Sequence, residues 1–149
     1  MLKAIAASGV DIGYLTLHVG LGTFRPVKTD DITKHEMEKE FFQVPNVTED
    51  KIDLAIKNKS RIISVGTTSL RALETYVLGV KEGHTNLFIY PGFNFRITNC
   101  LLTNFHLPKT TLFMLVCAFG GEALIKKAYL EAVDKKYRFY SYGDAMLIL

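Results

Sequence analysis

Cysteine is scarce in this chain. Cys100 and Cys117 are the only two among 149 residues, 17 positions apart, with no Cys-x-x-Cys and no histidine at zinc-ligand spacing. The common zinc patterns are thereby excluded, and two buried, reduced thiols are expected. Four prolines and eleven glycines fall well short of a low-complexity or collagen-like composition. Residues 112–119, the longest near-continuous apolar run, number only eight, whereas a membrane-spanning helix needs about 20. No sustained apolar stretch precedes Gly9 and Asp11, so no secretory signal is expected. Neither sign of charge dominates: 18 basic and 15 acidic residues give +3. That is too mild to establish a nucleic-acid partner, and compatible with one if the basic groups cluster. The lack of tryptophan excludes nothing. With 48% hydrophobic and 22% charged residues, the expectation is one soluble, cytoplasmic domain able to bury a core.

Period and punctuation predict alternating elements. Residues 1–8 read as the tail of a helix closed by Gly9, and 12–19 as a strand entering a Gly20-Leu21-Gly22 loop. A charged turn over 28–39 leads to a strand at 40–44, which Pro45 ends. Thr48 is the expected cap of a helix to about Lys59, with Ile52, Ala55 and Ile56 on one face. A strand at 61–65 precedes a helix from Thr68 to about Leu78, its stripe built from Leu70, Leu73, Val77 and Leu78. Further strands are predicted at 87–90 and 95–102. A buried helix follows at 110–119, then an amphipathic one from Glu122 to about Lys135 with Leu124, Ala128 and Ala132 facing inward. The last strand is 145–149. The class is α/β, with a mixed, largely parallel sheet flanked by helices. An opening in the last turns of a helix suggests a fragment.

Ligands of open α/β sheets bind where strands end and helices begin, and three segments put polar groups at such junctions. In residues 17–26, Gly20 and Gly22 allow close backbone approach, while His18, Thr23 and Arg25 supply a titratable group, a hydroxyl and a fixed cation. A tight turn with a structurally satisfied His18 accounts for the same spacing, and no helix pattern follows to make a dinucleotide fingerprint. In residues 65–74, Gly66 precedes Thr67, Thr68 and Ser69 at a helix start, an anion site made of unpaired N–H groups. Arg71 opposes the helix dipole there unless an anion or Glu74, at i+3, compensates it. An ordinary N-cap with a surface ion pair is the alternative. In residues 102–111, Asn104 and His106 lie in a loop stiffened by Pro108, where a histidine can shuttle a proton or simply brace the loop. Finally, residues 135–142 interleave Lys135, Lys136 and Arg138 with aromatics. That pattern suits phosphates and unstacked bases, or a solvated helix end followed by core-bound rings.

Six ordered motifs give these segments a common context: LHVGLGTFRPV (17–27), HEMEKEFFQVP (35–45), VGTTSLRALE (65–74), LFIYPGF (87–93), LLTNFHLPKTTL (101–112) and YRFYSYGDAMLIL (137–149). In this order the chain resembles the C-terminal part of the S-adenosylmethionine:tRNA ribosyltransferase-isomerase family of queuosine biosynthesis. The resemblance implies a cytoplasmic enzyme that transfers and rearranges the ribosyl group of S-adenosylmethionine onto 7-aminomethyl-7-deazaguanine in tRNA. Adenine and methionine depart and epoxyqueuosine remains. S-adenosylmethionine is consumed as substrate, with no true cofactor and no metal. Its sulfonium acidifies the neighbouring 5′-carbon, so His18 and His106 are candidates for the base and Arg25 for holding an anionic group. Thr67, Thr68, Ser69 and Arg71 would receive the methionine carboxylate or a phosphate, and Asn104 would orient a ribose hydroxyl or His106. Gly20, Gly22, Thr23 and Glu74 complete the substrate site, and Lys109, Lys135, Lys136 and Arg138 are the candidate tRNA contacts. An ordinary Rossmann methyltransferase is disfavoured, because the glycine loop runs into Pro26 and a charged turn.

The family's chain is roughly twice as long, with an N-terminal portion and an inserted β-barrel domain that are absent here. Residues 1–149 are therefore expected to be the C-terminal part of its α/β catalytic domain. A sheet edge or apolar face should be left exposed, so pairing with the missing half or self-association is expected, and little activity alone. The second reading is a non-catalytic tRNA- or nucleotide-binding remnant.

Overall fold

The computed structural model describes residues 1–24, 27 and 31–149. Arg25 and the start of the charged turn, Lys28 to Asp30, lie outside the described residues, so the role expected of Arg25 has no geometry to be set against. The elements run α1 (Leu2–Ala7), β1 (Thr16–Leu17), β2 (Glu40–Gln43), α2 (Asn46–Lys57), β3 (Ile63–Val65), α3 (Thr67–Tyr76), β4 (Glu82–Thr85), β5 (Cys100–Asn104), α4 (Thr111–Gly120), α5 (Glu122–Asp134) and β6 (Ala145–Ile148). The class is α/β, as expected.

Among the described residues the strands make two three-stranded sheets, ordered β1-β2-β4 and β3-β5-β6. The mixed direction holds, but the sheets are less parallel than the alternation of elements implies. Only β3 and β5 run parallel, Val65 opposite Leu102, while β6 returns antiparallel with Leu147 opposite Leu102. The other sheet is antiparallel throughout. A strand–helix alternation reads as parallel only when each helix is a crossover within one sheet. Here β4 follows α3 but pairs with β2 in the other sheet.

Helix α3 joins the two halves. Six successive residues, Leu70 to Thr75, are buried. Leu70 enters the larger core with Leu101, Phe105, Leu115, Val116 and Ile125. Ala72 and Leu73 enter the smaller one with Phe42, Val44 and Ile52. A helix buried nearly all round must also bury its polar residues, so Arg71 and Glu74 need internal partners.

Several local expectations shift for identifiable reasons. α2 begins at Asn46 rather than after Thr48, because the Thr48 hydroxyl is engaged elsewhere: it donates to the Tyr14 carbonyl and accepts from the Tyr14 N–H. Ile56 and Leu78 are about half exposed. The inward stripe of α5 is Ile125, Tyr129 and Ala132, while Leu124 is 62% exposed. Of the expected inward positions Ala132 is buried and Ala128 half-buried, so only Leu124 departs. No strand forms at 87–90. Its apolar residues serve packing: Ile89 is in the core, and the Phe88 ring lies 4.9 Å from His35 and 5.2 Å from Tyr90. β5 starts at Cys100 rather than Phe95 because the N–H groups of residues 96–98 go to the Glu74 carboxylate instead of a ladder. Cys100 and Cys117 are buried, unpaired thiols.

Candidate functional site

The glycine loop becomes a tight 3-10 turn, Leu21–Phe24. A Cβ on Gly22 would lie 2.6 Å from Glu38 Cδ, so glycine there reflects a close approach by the Glu38 side chain. The organising residue of the region is Glu40, on β2. Its Oε1 accepts from the Gly20 N–H at 2.7 Å and from the Thr23 hydroxyl at 2.6 Å, and its Oε2 pairs with Arg71 Nη1. Arg71 Nη1 also reaches the Thr23 hydroxyl at 3.2 Å, and its Nε donates to the Leu87 carbonyl at 3.1 Å. Both charges are 3% exposed. Arg71 is thus neutralised by Glu40, 31 residues away in sequence, and not by Glu74. Its Nη2 is buried and has no hydrogen-bond partner among the described residues.

Thr23 carries the loop onward to α4. Its carbonyl accepts from the Thr111 hydroxyl at 2.9 Å, and the Val27 N–H donates to the Lys109 carbonyl at 3.0 Å. The Thr110 side chain caps α4 by accepting from the Phe113 N–H. Segments 17–27, 35–45, 65–74 and 101–112 are therefore tied together by hydrogen bonds.

The second junction sits at the carboxyl end of the parallel β3–β5 pair. Gly66, at φ 93, turns the chain from β3 into α3, and its N–H donates to Leu102 O at 2.8 Å. No side chain caps α3 and no acidic residue lies in its first turn. Thr67 is buried and Thr68 and Ser69 are half-buried at this helix start. His106 follows β5 at the same end of the sheet. Its Nε2 lies 2.9 Å from the Thr103 hydroxyl and its backbone N–H donates to Tyr129 Oη at 2.9 Å. Burial lowers its pKa to about 4, keeping the imidazole neutral at physiological pH. Burial also pushes the Tyr129 phenol up to about 12, so it stays protonated.

Other expected site residues lie apart or are committed to the scaffold. His18 is exposed on the antiparallel sheet, its ring 5.3 Å from Phe41, and is not brought to His106. Glu74 is 1% exposed, with its oxygens spent on the N–H groups of Arg96, Ile97 and Thr98 at 2.8–3.3 Å. The Asn104 amide donates to the carbonyls of Gly143 and Asp144 at 3.4 and 3.3 Å, holding the chain end rather than His106. Lys135 and Arg138 are paired with Glu131 and Asp144, leaving Lys109 and Lys136 as the two expected tRNA contacts without an ion pair among the described residues. Two cavities, of about 480 and 320 Å³, are lined by other residues, one beside α1 and one beside the end of α2. Neither is shared by the three junctions. Among the described residues no group of three or more His, Cys, Asp and Glu could hold a metal, and no helix is long and apolar enough to cross a membrane. Glu40 escapes a sequence reading because it lies inside an acid-rich run; its apolar neighbours Phe41 and Phe42, which mark a buried strand, are the one signal that could have singled it out.

The chain is similar to known proteins along nearly its whole length. Residues 1–148 match the sequence model of the family described as queuosine biosynthesis protein. A curated relative from Sulfurihydrogenibium sp., named S-adenosylmethionine:tRNA ribosyltransferase-isomerase, is 56% identical over 150 residues, covering 100% of this chain and 45% of its own. The protein of the same name from Aquifex aeolicus is 47% identical, again over 100% of this chain and 45% of its own. The crystal structure of the S-adenosylmethionine tRNA ribosyltransferase from Thermotoga maritima superimposes with a TM-score of 0.80 at 41% identity, over 99% of this chain and 48% of that one. The chain spans about half the length of the curated relatives it matches. A match along nearly all of these residues, in sequence and in fold, places the chain in the queuosine biosynthesis protein family.

Proposed function

We propose that residues 1–149 are the C-terminal part of the catalytic α/β domain of an S-adenosylmethionine:tRNA ribosyltransferase-isomerase. In this reading the complete enzyme, working in the cytoplasm, moves and isomerises the ribosyl group of S-adenosylmethionine onto 7-aminomethyl-7-deazaguanine in tRNA. Epoxyqueuosine forms as adenine and methionine leave. The observation that carries the reading is the convergence on Thr23, whose hydroxyl and carbonyl tie the glycine loop to Arg71 and to the start of α4.

Within that frame His106 is the better-supported base. It shares the carboxyl end of the parallel pair with the uncapped start of α3, while His18 lies on the other sheet. Its lowered pKa keeps the proton-accepting form populated at neutral pH, although a weaker base gives less driving force. The first-turn N–H groups of Thr67, Thr68 and Ser69 are the anion donors suited to a methionine carboxylate. Arg71, already neutralised by Glu40, serves as the brace of that wall rather than as a free cation. Gly20, Gly22 and Thr23 shape the opposite side. The rest of the pocket falls to polypeptide beyond these residues, consistent with about half the relatives' length being covered. A second reading is a tRNA- or nucleotide-binding unit without turnover.

The test is reconstitution. This chain, the complementary N-terminal part of a full-length relative, and the two together are incubated with S-adenosylmethionine and tRNA bearing 7-aminomethyl-7-deazaguanine. Adenine release and tRNA mass are then followed. Turnover only in the mixture supports the split site. RNA binding without turnover in any combination supports the binding unit, and adenosylhomocysteine among the products would defeat both.

A further inference from the structure

The cleft of about 320 Å³ lies where two stretches of chain meet: residues 56–62, which lead from the end of α2 into β3, and the run into β5. Lys59, Arg61 and Arg96 stand around it, over a floor of Ile56, Ile62 and Ile97. No acidic residue is among its lining residues. All three cations are exposed, and none of their side chains has an ion pair or hydrogen bond among the described residues. Lys109 and Lys136 also lack an ion pair among the described residues; what sets these three apart is that they line one cleft with no acidic residue in it. Like charges gathered around one cleft repel one another and focus a positive field into it. An anion relieves that repulsion.

The frame holding the cations is built of fixed backbone. Asn99 Oδ1 accepts from the Ile62 N–H at 2.7 Å and the Asn99 N–H returns to Ile62 O at 2.9 Å, pinning the strand entry after Arg61. Lys59, at φ 54, closes α2, and the Ser60 N–H bonds Ala55 O at 2.8 Å. Buried Glu74 gathers the N–H groups of residues 96–98 and so fixes Arg96 from beneath. Arginine side chains on such a frame offer the planar donor forks that match phosphate oxygens.

We propose that the cleft of Lys59, Arg61 and Arg96 is a phosphate site that takes the sugar–phosphate backbone of RNA. The phosphate chemistry stands on the cleft alone; the RNA source rests on the tRNA-modifying reading above. A free phosphate-bearing ligand has the same chemistry, and the experiment separates the two. A fluorescent anticodon stem–loop RNA is titrated with the 149-residue chain and with its Arg61→Gln/Arg96→Gln variant from 50 to 300 mM salt. In parallel, inorganic phosphate is titrated into both proteins and followed by amide NMR. Both replaced side chains are exposed, so the two proteins should melt alike.

Removing two phosphate contacts should lower the slope of log affinity against log salt by about 2 and weaken binding about tenfold or more at low salt. Saturable phosphate shifts at residues 59–62 and 96–99 should disappear in the variant. Phosphate shifts lost in the variant with an unchanged RNA slope would keep the site and assign it to a free phosphate ligand, overturning the RNA part. An unchanged slope with no phosphate shifts would overturn the site, while intact RNA affinity would leave the tRNA reading standing. Wild-type protein with phosphate shifts and no RNA affinity would instead count against that reading and leave the site.

Discussion

Replacing Glu40 by Gln tests whether the buried pair organises the glycine loop. The amide is nearly isosteric and its oxygen can still accept from Gly20 and Thr23, so the substitution isolates the charge. Arg71 and Glu40 side chains are 4% and 2% exposed, too buried for water to screen the guanidinium left behind. Breaking a buried pair from one side costs about 3–5 kcal/mol. Among the described residues Arg71 Nη2 is already without a partner, so the stranded cation has little to fall back on. Against a total stability of about 5–15 kcal/mol, that is a large fraction. Urea denaturation followed by circular dichroism should show a much lower midpoint with an unchanged slope. Removing both charges, as Glu40→Gln with Arg71→Met, should recover most of the loss, because no uncompensated charge remains and the Gln oxygen still accepts from Gly20 and Thr23. A single-variant cost below about 1 kcal/mol, or a double variant as unstable as the single, would refute the idea that this pair is the electrostatic centre of the region.

Three other outcomes follow from the same geometry. His106 has a folded pKa lowered to about 4 against about 6.5 unfolded. The unfolded chain therefore binds the extra proton first, and stability is lost as pH falls from about 6.5 toward 4; between pH 7.5 and 5 the wild type should lose about 2 kcal/mol more than His106→Asn in urea titrations, and parallel pH curves would contradict the burial argument. Gly66 sits at φ 93 and ψ 144 with open space where a Cβ would go, so Gly66→Ala should cost about 1–3 kcal/mol from backbone strain alone, read as a lower melting temperature. On the outer face of the β3-β5-β6 sheet, Val65 and Leu147 lie either side of Leu102 in register and are 65% and 55% exposed. Self-association at tens of micromolar is expected in sedimentation velocity, weakened by Val65→Lys with Leu147→Lys, and a stable wild-type monomer would count against it.

Patterns local in sequence were legible without coordinates. The α/β class, the span of α4 to within one residue at each end, and the glycine turn at Gly66 follow from periodicity and glycine placement, because each depends on residues a few positions apart. Ordered motifs likewise carried the family resemblance from Leu17 to Leu149. What tertiary structure decided was the partner of each buried charge and the sheet of each strand. Arg71 had a carboxylate three residues away in sequence, yet pairs with Glu40 across the fold, while Glu74 turns to the backbone of residues 96–98. Helical spacing says which side chains can meet along one helix. It does not say which faces become buried, and a helix enclosed between two cores must find acceptors from whatever elements pack against it. The same reason hid the cleft of Lys59, Arg61 and Arg96: Arg96 is far from the other two in sequence and joins them only when the run into β5 packs beside the entry to β3.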